Sequence, residues 1–236
     1  DKPVEMKILH IPHNNIDKKK WDECIRNATH GSLYATILYL DVIGGKWDAL
    51  VAGDYEIVMP LIYRKTAGIK YLYQPAYLPQ TGIYSTKSIS PETAELFLQK
   101  TFSIFKFAEI AFIHPLQVFA TGKNMQVNWC NNFVLDISGD YKIISENYHP
   151  HFKKSFRRLQ KLGLKYEISP DPVEIMNFYT ELYFDKIPGL KKSVVRDFLT
   201  LCRAMQKEEN IVIRKVFNGT GVLIAAVILL KFKNRL

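Results

Sequence analysis

KWDALVAGDYEIVMPLIYRK, residues 46–65, reads as two β-rich runs on either side of Gly53-Asp54. Branched and aromatic side chains suit a pleated, packed surface and the Gly-Asp pair supplies the reversal, so an antiparallel hairpin is expected. Upstream, 7–11 is a short extended piece, and Asp17 stands where it can cap a helix that puts Trp21, Cys24, Ile25 and Ala28 on one side. The spacing over 33–42 predicts a second helix, ending at Gly44-Gly45. Downstream, a third strand is expected over 69–77. Pro91 opens a helix to about Phe105 with Thr93, Leu96, Phe97 and Thr101 on its less polar side, and 108–113 and 132–137 read as further strands. The result is a mixed α/β unit that closes near residue 140, where Ser138-Gly139-Asp140 punctuates the chain.

Beyond that point HFKKSFRRLQKLG, residues 151–163, carries Lys153, Lys154, Arg157, Arg158 and Lys161, with Lys165 just past it. As a helix it places Phe152, Phe156, Leu159 and Gly163 in one stripe, which predicts a docked side. Lys153, Arg157 and Lys161 form one flanking row and Lys154 and Arg158 the other, with neighbours in a row about 6 Å apart at Cβ. Like charges so close invite an anion. A strand over 164–168 follows, then Asp171-Pro172 opening a helix with Ile175, Met176, Tyr179, Leu182 and Tyr183 at helical spacing. Ser193 is the expected cap of another helix, with Val194, Phe198, Leu201, Cys202 and Met205 inside. Strands over 211–217 and 222–231 flank Asn218-Gly219, a hairpin signal, and the apolar run 222–230 reads as a buried strand.

Both halves share an order: extended segment, helix, helix, hairpin. The residues are not similar, but a repeated topology suggests one architectural unit used twice. The reading therefore divides the chain into 1–140, a basic connecting helical segment 141–163, and 164–236 as the start of a second, incomplete unit.

The 236 residues include 47% hydrophobic and 23% charged side chains, an ordinary globular balance able to bury a core and unlike a disordered chain. The formal charge of +9 favours anionic partners without choosing among phosphates, acidic lipids and nucleic acid. Cys24, Cys130 and Cys202 are odd in number and far apart, which argues against a disulfide framework or zinc knuckle and for a reducing, cytoplasmic setting. The nine apolar residues of 222–230 fall well short of the roughly 20 a spanning helix needs, so no membrane span is expected.

Helix-helix-hairpin followed by a strand and a helix resembles the opening of the acetyltransferase fold of the GNAT superfamily. Two such units in tandem, joined by a basic helix, resemble the Fem-type aminoacyltransferases and their double-domain relatives. LYATILYLDVIGGKWDALVAGDYEIVMPLIYRK is similar to the family's aromatic-containing helix and the strand, turn and strand after it, and YLYQPAYLPQTG sits where the family has an aromatic and Pro-Gly loop. FKKSFRRLQKLGLKYEI resembles its basic helix running through Lys-x-Gly into a strand. The resemblance covers nearly the whole chain and implies tandem GNAT-like domains moving an acyl or aminoacyl group from acyl-CoA or aminoacyl-tRNA, as donor co-substrate, to an amine, including one on a cell-wall precursor. The family cradles the CoA pyrophosphate on open amides at a helix start after a Gln/Arg-x-x-Gly-x-Gly/Ala sequence. Here the corresponding QTGIYSTKSISPET has one glycine, which suggests that the first domain helps to bind the acceptor instead.

Candidate substrate-binding residues are Tyr77, at the end of the expected strand and facing either core or cleft, Gln80 and Thr81, which with Gly82 form the polar loop where a GNAT-like cleft opens, and Lys154, Arg157, Arg158 and Lys161 on the basic segment for a phosphate-bearing small molecule or tRNA. A solvated face complementing a helix dipole is the first alternative for the basic segment, nucleic-acid binding comes after it, and a membrane-surface helix ranks last because three or four bulky apolar residues make a narrow face; for the Tyr71, Tyr73 and Tyr77 alternation the alternative is a half-buried sheet. His10 and His13, and His149 and His151, lack a third ligand at metal spacing and read as surface histidines, so no metal is expected. His30-Gly31-Ser32 reads as a loop. No catalytic base or acid is identified. The alternative function is a non-catalytic protein of the same fold that binds an anionic or nucleotide-bearing partner.

Overall fold

The computed structural model describes residues 6–113, 125–187 and 190–236. In chain order come β1 (Ile8–Ile11), α1 (Lys18–Asn27), a helical segment over 33–44 that contains α2 (Ile37–Tyr39), then β2 (Trp47–Ala52), β3 (Ile57–Thr66), β4 (Ile69–Leu72), β5 (Tyr84–Ser85), α3 (Pro91–Ile104) and β6 (Phe107–Ala108). They are followed by α4 (Tyr141–Glu146), α5 (Pro150–Leu159), β7 (Lys165–Ile168), α6 (Pro172–Tyr183), α7 (Lys192–Lys207), β8 (Ile211–Phe217) and β9 (Leu223–Leu230). The described residues form two compact units, one drawn from 6–113, 179–187, 190–211 and 229–236, the other from 125–178 and 212–228.

The first unit is built on a mixed sheet of order β1-β2-β3-β4-β6, with β5 also pairing β3. The hairpin forms as read: Trp47 faces Ile62 and Ala52 faces Ile57 across the antiparallel ladder, and Gly53 turns the chain at φ 63°. All of β2 is buried, because both sheet faces are covered. Trp47, Ala49 and Val51 point to one side, packing with Trp21 and Ile25 of α1, Leu40, and Leu201 and Met205 of α7. Leu50 and Ala52 point to the other, with Phe97 of α3 and Phe105. The period of two along one strand thus assigns residues to two cores. Asp17 caps α1, accepting from the amides of Lys19 and Lys20, and Trp21, Cys24, Ile25 and Ala28 are buried as expected. Gly31 permits the close return after α1: a Cβ there would lie 2.1 Å from Ile25 O.

Several expected elements change form. The helix over 33–42 is split, because Thr36 is extended at ψ 151° and its hydroxyl donates to Leu33 O while accepting from Tyr39 N. The strand over 69–77 stops at Leu72, before Pro75, which has no amide for a ladder. The run 108–113 pairs in two pieces: Leu72 lies beside Ala108, and Thr81 then bridges Phe112. In α3 it is Ala94, Phe97, Leu98 and Thr101 that are buried, while Leu96 is exposed.

The second unit carries most of a sheet of order β7-β8-β9, over a small core that includes Ile175, Met176 and Ile213. Asp171 accepts from Val173 N and Pro172 begins α6, as read. Three expectations fail around it. Residues 132–137 form no strand; Phe133 is 91% exposed, and β-propensity without a hydrogen-bonding partner does not make a ladder. The stripe of α5 is not docked, since Phe152, Phe156 and Leu159 are all exposed. The run 222–230 does form β9, but Ile224 and Val227 are exposed, so the strand is not buried. Further along, the cap of α7 is Lys191, not Ser193.

One order occurs twice. β1, α1, the 33–44 segment and the β2–β3 hairpin are matched by β7, α6, α7 and β8–β9, and in each case the first strand pairs antiparallel with the second.

Candidate functional site

Tyr77 sits in the loop that leaves β4, at φ 62°, a left-handed conformation costly for a residue with a Cβ and concentrated at functional sites. Gln74 donates through Nε2 to Leu78 O, and the Tyr39 hydroxyl donates to Tyr77 O, so the strained turn is pinned from both sides. The Tyr77 ring stacks on Phe198 of α7, centroids 4.6 Å apart and planes 29° apart. Its hydroxyl is fully covered and has no hydrogen-bond partner among the described residues. Burial first, then the phenol of Tyr179, which approaches without hydrogen-bond geometry, and the Cys202 thiol push the Tyr77 pKa far above the ordinary phenol. Tyr77 therefore stays neutral and keeps its proton for donation.

Around it the groups are neutral as well. Burial pushes the Cys202 thiol up to about 12. Burial, then Tyr34 and Cys202, raise Tyr39, and the Tyr34 and Tyr39 rings meet edge to face at 5.2 Å. Of the other residues chosen from this loop, Gln80 is half-buried. Thr81 is buried, its amide donating to Ala111 O and its carbonyl accepting from Ile113 N, both at 2.7 Å. Its hydroxyl approaches that of buried Tyr84 without completing a hydrogen bond, leaving both oxygens unpartnered among the described residues. Three orphaned hydroxyls thus belong to one short stretch, 77–84, which is unusual for buried polar atoms.

The start of α3, which the resemblance puts in the place of a pyrophosphate cradle, does not fit that group. Pro91 has no amide hydrogen, the Thr93 amide is taken by Ser90 Oγ, and Glu92 adds negative charge.

Sequence reasoning missed a second cluster in this unit. His10 Nε2 lies 2.9 Å from Asp48 Oδ2, and His13 Nε2 lies 2.7 Å from Asp41 Oδ1, so these histidines are tied to carboxylates and are not simply solvated. Asp41 also accepts from Lys18 Nζ at 2.7 Å and from Trp47 Nε1 at 3.1 Å. Burial alone would raise the Asp41 pKa, but the donors Lys18, His13 and Trp47 outweigh it and hold the carboxyl below the usual range. Among the described residues no group of three or more His, Cys, Asp or Glu side chains is placed to hold a metal.

In the second unit, Lys154, Arg157 and Arg158 are exposed on α5, and Lys161 is exposed in the turn after it. None of the four makes an ion pair among the described residues. Among those residues, too, no helix is long and apolar enough to cross a membrane. No family model matches the chain, and no curated protein matches it.

Proposed function

We propose that the protein is a cytoplasmic N-acyltransferase of the tandem GNAT-like, Fem-related type, moving an acyl or aminoacyl group from acyl-CoA or aminoacyl-tRNA to an amine. The observation that carries this reading is the Tyr77 hydroxyl: neutral, covered, without a hydrogen-bond partner among the described residues, and held on a strained backbone. Attack of an amine on a thioester or ester builds negative charge on the carbonyl oxygen and then on the leaving sulfur or oxygen. A fixed O–H donor in a dry site stabilises that charge far better than it would in water. The ring is partly exposed while its oxygen is covered, so substrate entry displaces the side chains over it, with Phe198 the nearest stacked neighbour. The doubled strand–helix–helix–hairpin order supports the tandem architecture. The capped start of α3 supports an acceptor role for the first unit.

A non-catalytic, anion-binding protein is the second reading, favoured by the unpaired cations Lys154, Arg157, Arg158 and Lys161. Incubating the protein with radiolabelled acetyl-CoA or aminoacyl-tRNA and a panel of amines separates the two. Label transferred to an amine supports the enzyme; tight donor binding without turnover supports the alternative.

A further inference from the structure

α5 combines two surfaces that rarely stay in solvent together. Phe152 is 52% exposed, Phe156 47% and Leu159 46%, and Leu162, just beyond the helix, is 60% exposed. Single exposed apolar residues are ordinary, but a stripe along one helix face marks a contact surface. Between Glu146 and Glu167 there is no acidic residue, while Lys153, Lys154, Arg157, Arg158, Lys161 and Lys165 are all cationic.

We infer that α5 is an interfacial helix that docks on an anionic lipid bilayer surface, its Phe152–Phe156–Leu159 stripe entering the boundary between headgroups and acyl chains and its cations meeting lipid phosphates. Such helices pair an apolar stripe with a Lys/Arg-rich polar face, and long cationic side chains reach back to the headgroups from the flanks of the stripe. A second copy of this chain fits poorly, because an isologous contact brings one acid-free cationic helix against another. Nucleic acid fits less well than lipid: base binding relies on aromatic platforms, and here the exposed stripe runs on past Phe152 and Phe156 into Leu159 and Leu162, which stack no base and suit acyl chains. The inference rests on the anion affinity of α5 and does not depend on acyl transfer.

The test is flotation of the full chain with vesicles of phosphatidylcholine, with or without one third phosphatidylglycerol, at low and at physiological salt, beside binding of bulk tRNA in the same buffers. The chain is expected to float with the anionic vesicles only. Lys154→Glu with Arg158→Glu, and separately Phe152→Ser with Phe156→Ser, are each expected to lower the partition at least about tenfold. Far-UV circular dichroism checks that each variant is folded. If the serine variant is not, Phe156→Trp takes its place: a blue-shifted emission on adding anionic vesicles supports insertion, and an unshifted one overturns it. No flotation of the native chain, or flotation undiminished in a folded serine variant, also overturns the inference. tRNA binding without flotation overturns the lipid partner and leaves the anion affinity standing; loss of both removes that affinity too.

Discussion

The ring of Tyr77 lies on the ring of Phe198, 4.6 Å between centroids, and the Tyr77 hydroxyl is covered, with no hydrogen-bond partner among the described residues. A buried hydroxyl in that state costs roughly 1–3 kcal/mol of desolvation. Tyr77→Phe keeps the stack and removes the orphaned oxygen, so it is expected to unfold in urea at an equal or higher concentration than the native chain, by about 1 kcal/mol. A clear fall in the urea midpoint would show that the hydroxyl is satisfied in the folded protein.

Cys24 and Cys202 are buried and Cys130 is exposed. Burial pushes the Cys24 thiol up to about 11 and the Cys202 thiol up to about 12, so neither is a thiolate at pH 8. Titration with an aromatic disulfide is expected to label one thiol per native chain at once, and the other two only after denaturant is added. Three fast thiols would contradict the burial.

Asp41 binds the N-terminal segment through His13 and Lys18 to the hairpin through Trp47. Its carboxyl is held below the usual range, so its contribution to stability is fully present above the unfolded carboxylate value of about 3.9 and is lost as pH falls through the lower folded value. Asp41→Asn is expected to cost about 1–2 kcal/mol at pH 7 and to flatten the acid limb of stability. Urea midpoints at pH 7 and pH 3 measure both; an acid limb as steep as the native one would contradict the assignment.

Lys215 is nearly fully buried and pairs with Glu174, whose side chain is 47% exposed. Removing the carboxylate leaves a buried ammonium uncompensated, so Glu174→Ala is expected to cost about 1–3 kcal/mol, moderated by the solvent reaching Glu174. Lys215→Met replaces the charge with an apolar chain of similar length and is expected to stay within about 1 kcal/mol of native. The reverse order of the two midpoints would contradict this.

Elements that report on themselves were legible in the sequence. The hairpin of 46–65, the Asp17 cap and the Asp171-Pro172 start each depend on residues within a turn of one another. Features that need a distant partner were not. Residues 132–137 have strand-like composition, yet a strand exists only through a ladder, and no ladder reaches them. The stripe of α5 was visible in its spacing, but spacing does not say whether anything covers it. Tyr77 read as the last residue of a strand, facing core or cleft, whereas the features that single it out, the Phe198 stack and the left-handed backbone, arise from the far end of the chain and from the pinned turn. His13 read as a surface histidine because its carboxylate stands 28 positions away.

The most direct measurement of the proposed chemistry compares the native chain with Tyr77→Phe in transfer of a radiolabelled acyl group to an amine. The native chain is expected to turn over, and the folded variant to be slower by about 10²–10³-fold, the usual loss of one donor to a developing oxyanion. Equal turnover by the two proteins, or none by the native chain with every donor and amine offered, would contradict a catalytic role for the sealed phenol.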